Sequence, residues 1–170
     1  QEAIQTFEKV LSHVRSEGNK TVEGSTLRHI VNSHFQLGEF QKVIQYGSEG
    51  LVLQEWMDEQ TTIFFYEKII ATHYQMKQND AAEAVTLQAI EFADKSGEKP
   101  KKLDFLLSLG ESYLLANKFE HALEIYQQAL DVAQRIQKMV DYSYLIGRIG
   151  IIHAELGQLD KAIQHHQQAI

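Results

Sequence analysis

The sequence predicts an all-α fold, a solenoid of antiparallel helix pairs. Three observations carry that prediction. Alanines recur at a fixed step of 40 residues, as Ala82, Ala122 and Ala162 and again as Ala89, Ala129 and Ala169. Apolar residues around them keep helical spacing, as in Leu106, Leu109 and Tyr113. Proline occurs once, at Pro100. Internal proline costs a helix about 3 kcal/mol, so proline-free stretches rich in Gln, Glu, Ala, Leu and Lys favour helix. No alternating run bounded by Asn-Gly or Asp-Gly suggests a hairpin. Repeats of a few tens of residues stack into solenoids, and solenoids mostly hold other molecules.

The elements follow in order. Ala3, Phe7 and Val10 predict a lone opening helix. The first full unit carries Leu27, Ile30, Val31 and His34 on one helix and Val43, Gly47 and Gly50 on the next. The second carries Tyr66, Ile69, Ile70 and His73, then Ala82, Thr86 and Ala89. The third carries Leu106, Leu109, Gly110 and Tyr113, then Ala122, Tyr126 and Ala129. The fourth carries Ile146, Ile149, Gly150 and His153, then Ala162, His166 and Ala169. The units fall at about 1–18 (partial), 21–57, 60–96, 101–138 and 141–170 of a single repeat domain. Gly38, Asn79, Asn117 and Gly157 sit where a left-handed residue would end the first helix of each pair. Longer joints are expected at Ser16–Asn19 and Lys95–Pro100. Trp56 and Met57 close a second helix, where an aromatic anchor would seal the joint. Gly110 and Ala122 are read as points of close helix approach. The array opens and closes inside helical stripes without polar caps, which predicts a fragment of a longer protein, or ends that pack on something else.

This frame resembles the tetratricopeptide repeat family, in which each unit is a helix pair. Leu106, Leu109, Gly110, Tyr113, Ala122, Tyr126 and Ala129 carry the family pattern best. Val31 and Ile70 replace the glycine in earlier units, and the family's late proline is missing throughout. The period exceeds the family's common 34 residues. Such lengthened repeats resemble those of Rap-type and NprR-type peptide-sensing regulators, some animal scaffold proteins and kinesin light chains. The resemblance implies a right-handed α–α superhelix whose first helices line a concave groove.

Composition narrows the function. With 44% apolar residues in a chain of 170, a core can form. A net charge of −7 argues against a nucleic-acid surface, which needs a basic stripe. Lys99, Lys101 and Lys102 form the one dense basic group and read as a solvated loop. There are no cysteines, hence no disulfides or thiolate metal sites. No apolar run reaches the roughly 18 residues of a membrane span. The opening residues lack the layout of a secretory signal. Together these predict a cytoplasmic module with neither nucleic-acid nor membrane partners.

Eight histidines raise the question of a metal. His34, His73 and His153 occupy one repeat position, where the resembled family places a core aromatic. A repeat apart, they are expected to be too distant to share an ion at about 2 Å from each ligand. His165 and His166 are neighbours pointing about 100° apart on a helix. His121 is expected to face solvent. No GxxxxGK, GxSxG or HExxH motif occurs. The chain is therefore read as a non-enzyme, with no catalytic residue, metal or cofactor.

The resemblance assigns the groove to outward positions of the first helices. The candidate peptide-binding residues are Arg28, Asn32 and Gln36, then Glu67, Tyr74 and Gln75, then Asp104, Leu107 and Glu111, then Tyr144 and Arg148. Asn and Gln can both donate to and accept from a peptide backbone. Arg28 can fork onto a carboxylate. Tyr74, Leu107 and Tyr144 offer apolar surface, while Glu67, Asp104 and Glu111 favour a cationic ligand residue. Arg28 and Asn32 match two of the five residues with which chaperone-binding members hold an acidic C-terminal tail; Ala71, Asp104 and Ser108 replace the other three. The favoured expectation is capture of a peptide or extended protein segment, as the sensor part of an intracellular signalling or transcription regulator. The alternatives are a passive assembly scaffold and an accessory segment of a larger enzyme. Oligomerisation through uncapped ends stays open.

Overall fold

The computed structural model describes residues 2–168. Ala169, the last point of the alanine frame, lies outside the described residues, as do Gln1 and Ile170. The helices are α1 (Glu2–Glu17), α2 (Lys20–Leu37), α3 (Phe40–Val52), α4 (Glu59–Gln75), α5 (Asn79–Lys95), α6 (Lys99–Leu115), α7 (Phe119–Arg135), α8 (Met139–Glu155) and α9 (Leu159–Gln168). A 3-10 turn, Gln54–Trp56, lies between α3 and α4. No strand occurs among the described residues.

From α4 onward each helix begins 20 residues after the last. Joints between units are therefore as short as turns within them. The longer joint expected at Lys95–Pro100 is a three-residue turn. Pro100 lies in the first turn of α6, where its missing N–H costs nothing.

A left-handed residue closes most helices: Gly18, Gly38, Lys77, Gly97, Asn117, Gln137 and Gly157 all have φ between 55° and 78°. Asn79, expected in this role, instead opens α5, and Lys77 takes the conformation. The closing hydrogen bonds choose the position. Lys77 N–H donates to the Tyr74 carbonyl at 3.0 Å, and Gln78 N–H reaches back to His73 at 2.9 Å. That pair of bonds caps the last carbonyls whatever the side chain. The joint after α3 differs. There the 3-10 turn ends at Met57, and Asp58 caps α4 by accepting from Thr61 N–H at 2.7 Å. Met57, not Trp56, fills the joint. Its side chain lies against Gly24, whereas Trp56 is 49% exposed.

The repeated histidines lock these turns from the side. The ring Nδ1 atoms of His34, His73 and His153 donate to Glu39 Oε2, Gln78 Oε1 and Gln158 Oε1 at 2.6, 2.8 and 2.9 Å. Those partners are the residues whose own N–H groups close onto the histidine carbonyls. In α6 the position holds Tyr113, and the partner position holds Lys118, whose Nζ lies 5.3 Å from the ring centre. His34 and His153 are buried, as expected for a core position; His73 is half-buried. His121 is solvent-exposed yet tilts against Tyr113 at 5.4 Å.

The chain divides into two compact units, one through Leu87 and one from Gln88. In the first, Leu11, Leu27, Ile30, Val31, Val43, Leu53 and Phe65 form the core. Gly47 and Gly50 let α3 approach Ile69 and Phe65 of α4. In the second, Leu106, Leu109, Tyr113, Ala122, Tyr126, Ala129 and Ile149 are among the core residues. Gly110 faces the Tyr126 ring, and a Cβ there would lie 2.7 Å from it. His166 covers Gly150 in the same way but stays exposed, on the last described helix.

Candidate functional site

In the first unit, α2 carries Arg28, Asn32 and Gln36 one turn apart, on one face. Arg28 and Gln36 are exposed and Asn32 is half-buried. Arg28 and Asn32 line a cleft of about 520 Å³ together with Ser25 and His29 of α2, Asp58 and Thr61 at the start of α4, and Phe64. The Arg28 guanidinium lies 5.0 Å from the Phe64 ring centre. Lys68, one turn beyond Phe64, sits 4.2 Å from the centre of Phe35 and 5.5 Å from that of Phe64. His29 stacks on Phe7 at 5.1 Å. The Asp58 carboxyl is held below its usual range, first by the Thr61 N–H and only last by the charge of Arg28. Both of its oxygens take part in capping α4.

The remaining candidates of this unit lie apart from that cleft's lining. Glu67 and Gln75 are exposed, and Tyr74 is half-buried with a shielded hydroxyl that meets no hydrogen-bond partner. Lys68 was missed by the sequence reading. Its four-residue offset from Phe64 would have placed it on the same face.

In the second unit, three candidates converge. Glu111 accepts from Tyr126 at 2.7 Å, from Tyr144 at 2.5 Å and from the Arg148 guanidinium. Arg148 also lies 5.8 Å from the Tyr144 ring centre. Burial pushes the Glu111 carboxyl up, but the hydrogen bonds of Tyr144 and Tyr126 and the charge of Arg148 outweigh it and hold the group low. Burial, then the bond to Glu111, pushes the Tyr126 hydroxyl up. The charge of Glu111 is therefore paired within the chain. Asp104 is exposed and lies 3.8 Å from Lys101. Leu107 leans on the core.

Gly147 stands apart from the other glycines inside the helices. A Cβ built on it would meet nothing within 4 Å, and its backbone is ordinary helix. Glycine inside a helix costs about 1 kcal/mol relative to alanine. Gly147→Ala is therefore expected to raise the melting temperature by a few degrees, while Gly110→Ala lowers it. Thermal denaturation of the two variants checks the contrast.

Among the described residues no cluster of three or more His, Asp or Glu side chains is placed to hold a metal. No described helix is long and apolar enough to cross a membrane.

Short antiparallel helices joined by near-identical turns, with small residues at their contacts, define a helical-repeat protein. The tetratricopeptide repeat family model matches residues 62–135, and that stretch carries tetratricopeptide repeats. No curated protein matches the chain significantly by sequence. Its fold is shared with the apo form of RapI, at TM-score 0.76 and 11% identity over 98% of this chain and 47% of the other. Aspartyl phosphate phosphatase F from Bacillus subtilis matches at 0.67 and 16%, over 98% and 44%. The Rap conjugation gene regulator of plasmid pLS20, in complex with the Phr* peptide, matches at 0.56 and 17%, over 87% and 44%. At these identities the likeness concerns the fold, and the chain spans less than half of each of these three proteins.

Proposed function

We propose that this chain is a protein-interaction repeat module that captures an extended polypeptide on faces of its first helices. The observation that carries the reading is the cleft between α2 and α4, where Arg28 and Asn32 stand beside the Phe64 ring. Such a surface combines an aromatic platform, a cation and an amide able to pair with a peptide backbone in both senses. Gln36 extends it by a turn. A role as the sensor part of an intracellular signalling or transcription regulator is supported by the fold shared with a regulator solved with its peptide.

A random-heptapeptide display library sorted on the immobilised chain tests this. Enriched sequences are expected, and Arg28→Ala/Asn32→Ala should lose them while keeping the helical circular dichroism signal. Failure to enrich any sequence would overturn peptide capture. Enrichment indifferent to the double substitution would move the contact elsewhere and favour a scaffold.

A further inference from the structure

We infer that the cleft between α2 and α4 takes an internal acidic side chain of the captured polypeptide, held by Arg28 beside Phe64, with Lys68, which lies against the same ring but outside the cleft's lining, adding its charge. The inference rests on the reading above and adds the chemistry of the ligand.

The chain carries 23 acidic against 16 basic side chains, so bases have a surplus of acids to pair with. Most structured bases do pair. Arg15 holds Glu23 and Glu49, Lys102 holds Asp94, Arg135 holds Asp131 and Arg148 holds Glu111. Arg28 and Lys68 depart from this pattern, as do Lys9, Lys77, Lys99 and Lys161. Neither Arg28 nor Lys68 has a carboxylate within ion-pair reach among the described residues, and both rest on aromatic faces instead. Each lies within 5.5 Å of the Phe64 ring centre, so one ring carries two cations. An aromatic face attracts a cation and restricts its movement without consuming its charge. The nearby acid, Asp58, feels the charge of Arg28 but makes no ion pair with it; its oxygens accept from Thr61 N–H and Oγ1 at 2.7 and 2.9 Å. What complements two held cations without an ion-pair partner of their own is an anion.

The anion's place in the ligand follows from what surrounds Arg28. Ser25 lies about one turn before it and Asn32 one turn after, and both line the cleft. Hydrogen-bonding groups on both sides suit a residue whose backbone continues in both directions. A terminal carboxylate would use one side alone.

The enriched heptapeptides supply the probe. They are expected to carry Asp or Glu at an internal position, and replacing it by Asn or Gln should weaken binding at least tenfold. Raising salt from 50 to 500 mM should weaken the acidic peptide more than its amide counterpart. Arg28→Glu/Lys68→Glu should reverse the preference towards Lys or Arg, and Lys68→Gln alone should reduce affinity without altering helicity. Peptides that bind equally well after acid-to-amide substitution would overturn the inference while leaving peptide capture standing. Loss on amidation of the C-terminus, with no effect at the internal acid, would overturn it in favour of a terminal carboxylate. Absence of any enriched peptide would overturn the underlying reading itself.

Discussion

Ala122→Leu is expected to lower the melting temperature by several degrees, while Gln127→Leu leaves it nearly unchanged. Ala122 has no exposed surface and belongs to the core of the second unit, at the α6–α7 contact. Three added carbons have no space there, and overpacking of this kind costs roughly 1–3 kcal/mol. At about 2–4 °C per kcal/mol for a chain of this size, the loss is readily resolved by calorimetry. Gln127 lies on the same helix but is exposed, so a leucine there meets solvent. Equal melting temperatures would mean that the small residue at Ala122 is not a close-packing requirement.

Glu111→Ala is expected to destabilise by about 2 kcal/mol, the cost of leaving several partners without an acceptor. The Tyr126 ring is fully buried, and its hydroxyl donates to Glu111. Arg148 has an Nε that already lacks a partner, and its charge would lose its carboxylate. Partial exposure of the pair, at 33% and 24%, keeps the figure below that of a fully buried ion pair. The same site sets a pH dependence. The Glu111 carboxyl is held below its ordinary 4.5 in the folded chain, so the folded state binds that proton more weakly than the unfolded state. Its contribution is complete above pH 4.5 and disappears as the pH falls through the lower folded value. Glu111→Gln should retain part of the hydrogen bonding but flatten the stability slope below pH 4.5. Urea unfolding of wild type and variant across that interval measures it, and parallel slopes would deny Glu111 this role.

The periodic parts of the fold were legible in the chain. Leu106, Leu109, Tyr113, Ala122, Tyr126 and Ala129 were placed in the core by spacing alone, and all are buried. The reason is geometric: helical spacing brings these residues to one stripe, and an apolar stripe must be covered. The turns were less legible. Asn79 was expected to be the left-handed residue, but helix length and the closing hydrogen bonds gave that conformation to Lys77. The histidine position was recognised, while its bond to the residue five places on required the turn to be closed first.

The candidate surface divides along the same line. Outward positions such as Arg28, Asn32, Glu111 and Arg148 could be projected from the repeat, because a helix presents every residue in a known direction. Their partners could not. Whether Arg28 meets a carboxylate or the Phe64 ring depends on how α2 and α4 lie side by side, and so does the presence of Lys68. Likewise, Glu111 reads as a free acid until α8 brings Tyr144 and Arg148 to it. Helix identity, repeat period and buried stripe were thus settled by local order along the chain, because backbone hydrogen bonding and side-chain spacing are short-range. Which charges pair within the protein and which rest on aromatic rings instead was decided only by packing between helices, because ion pairs and aromatic contacts join residues tens of positions apart.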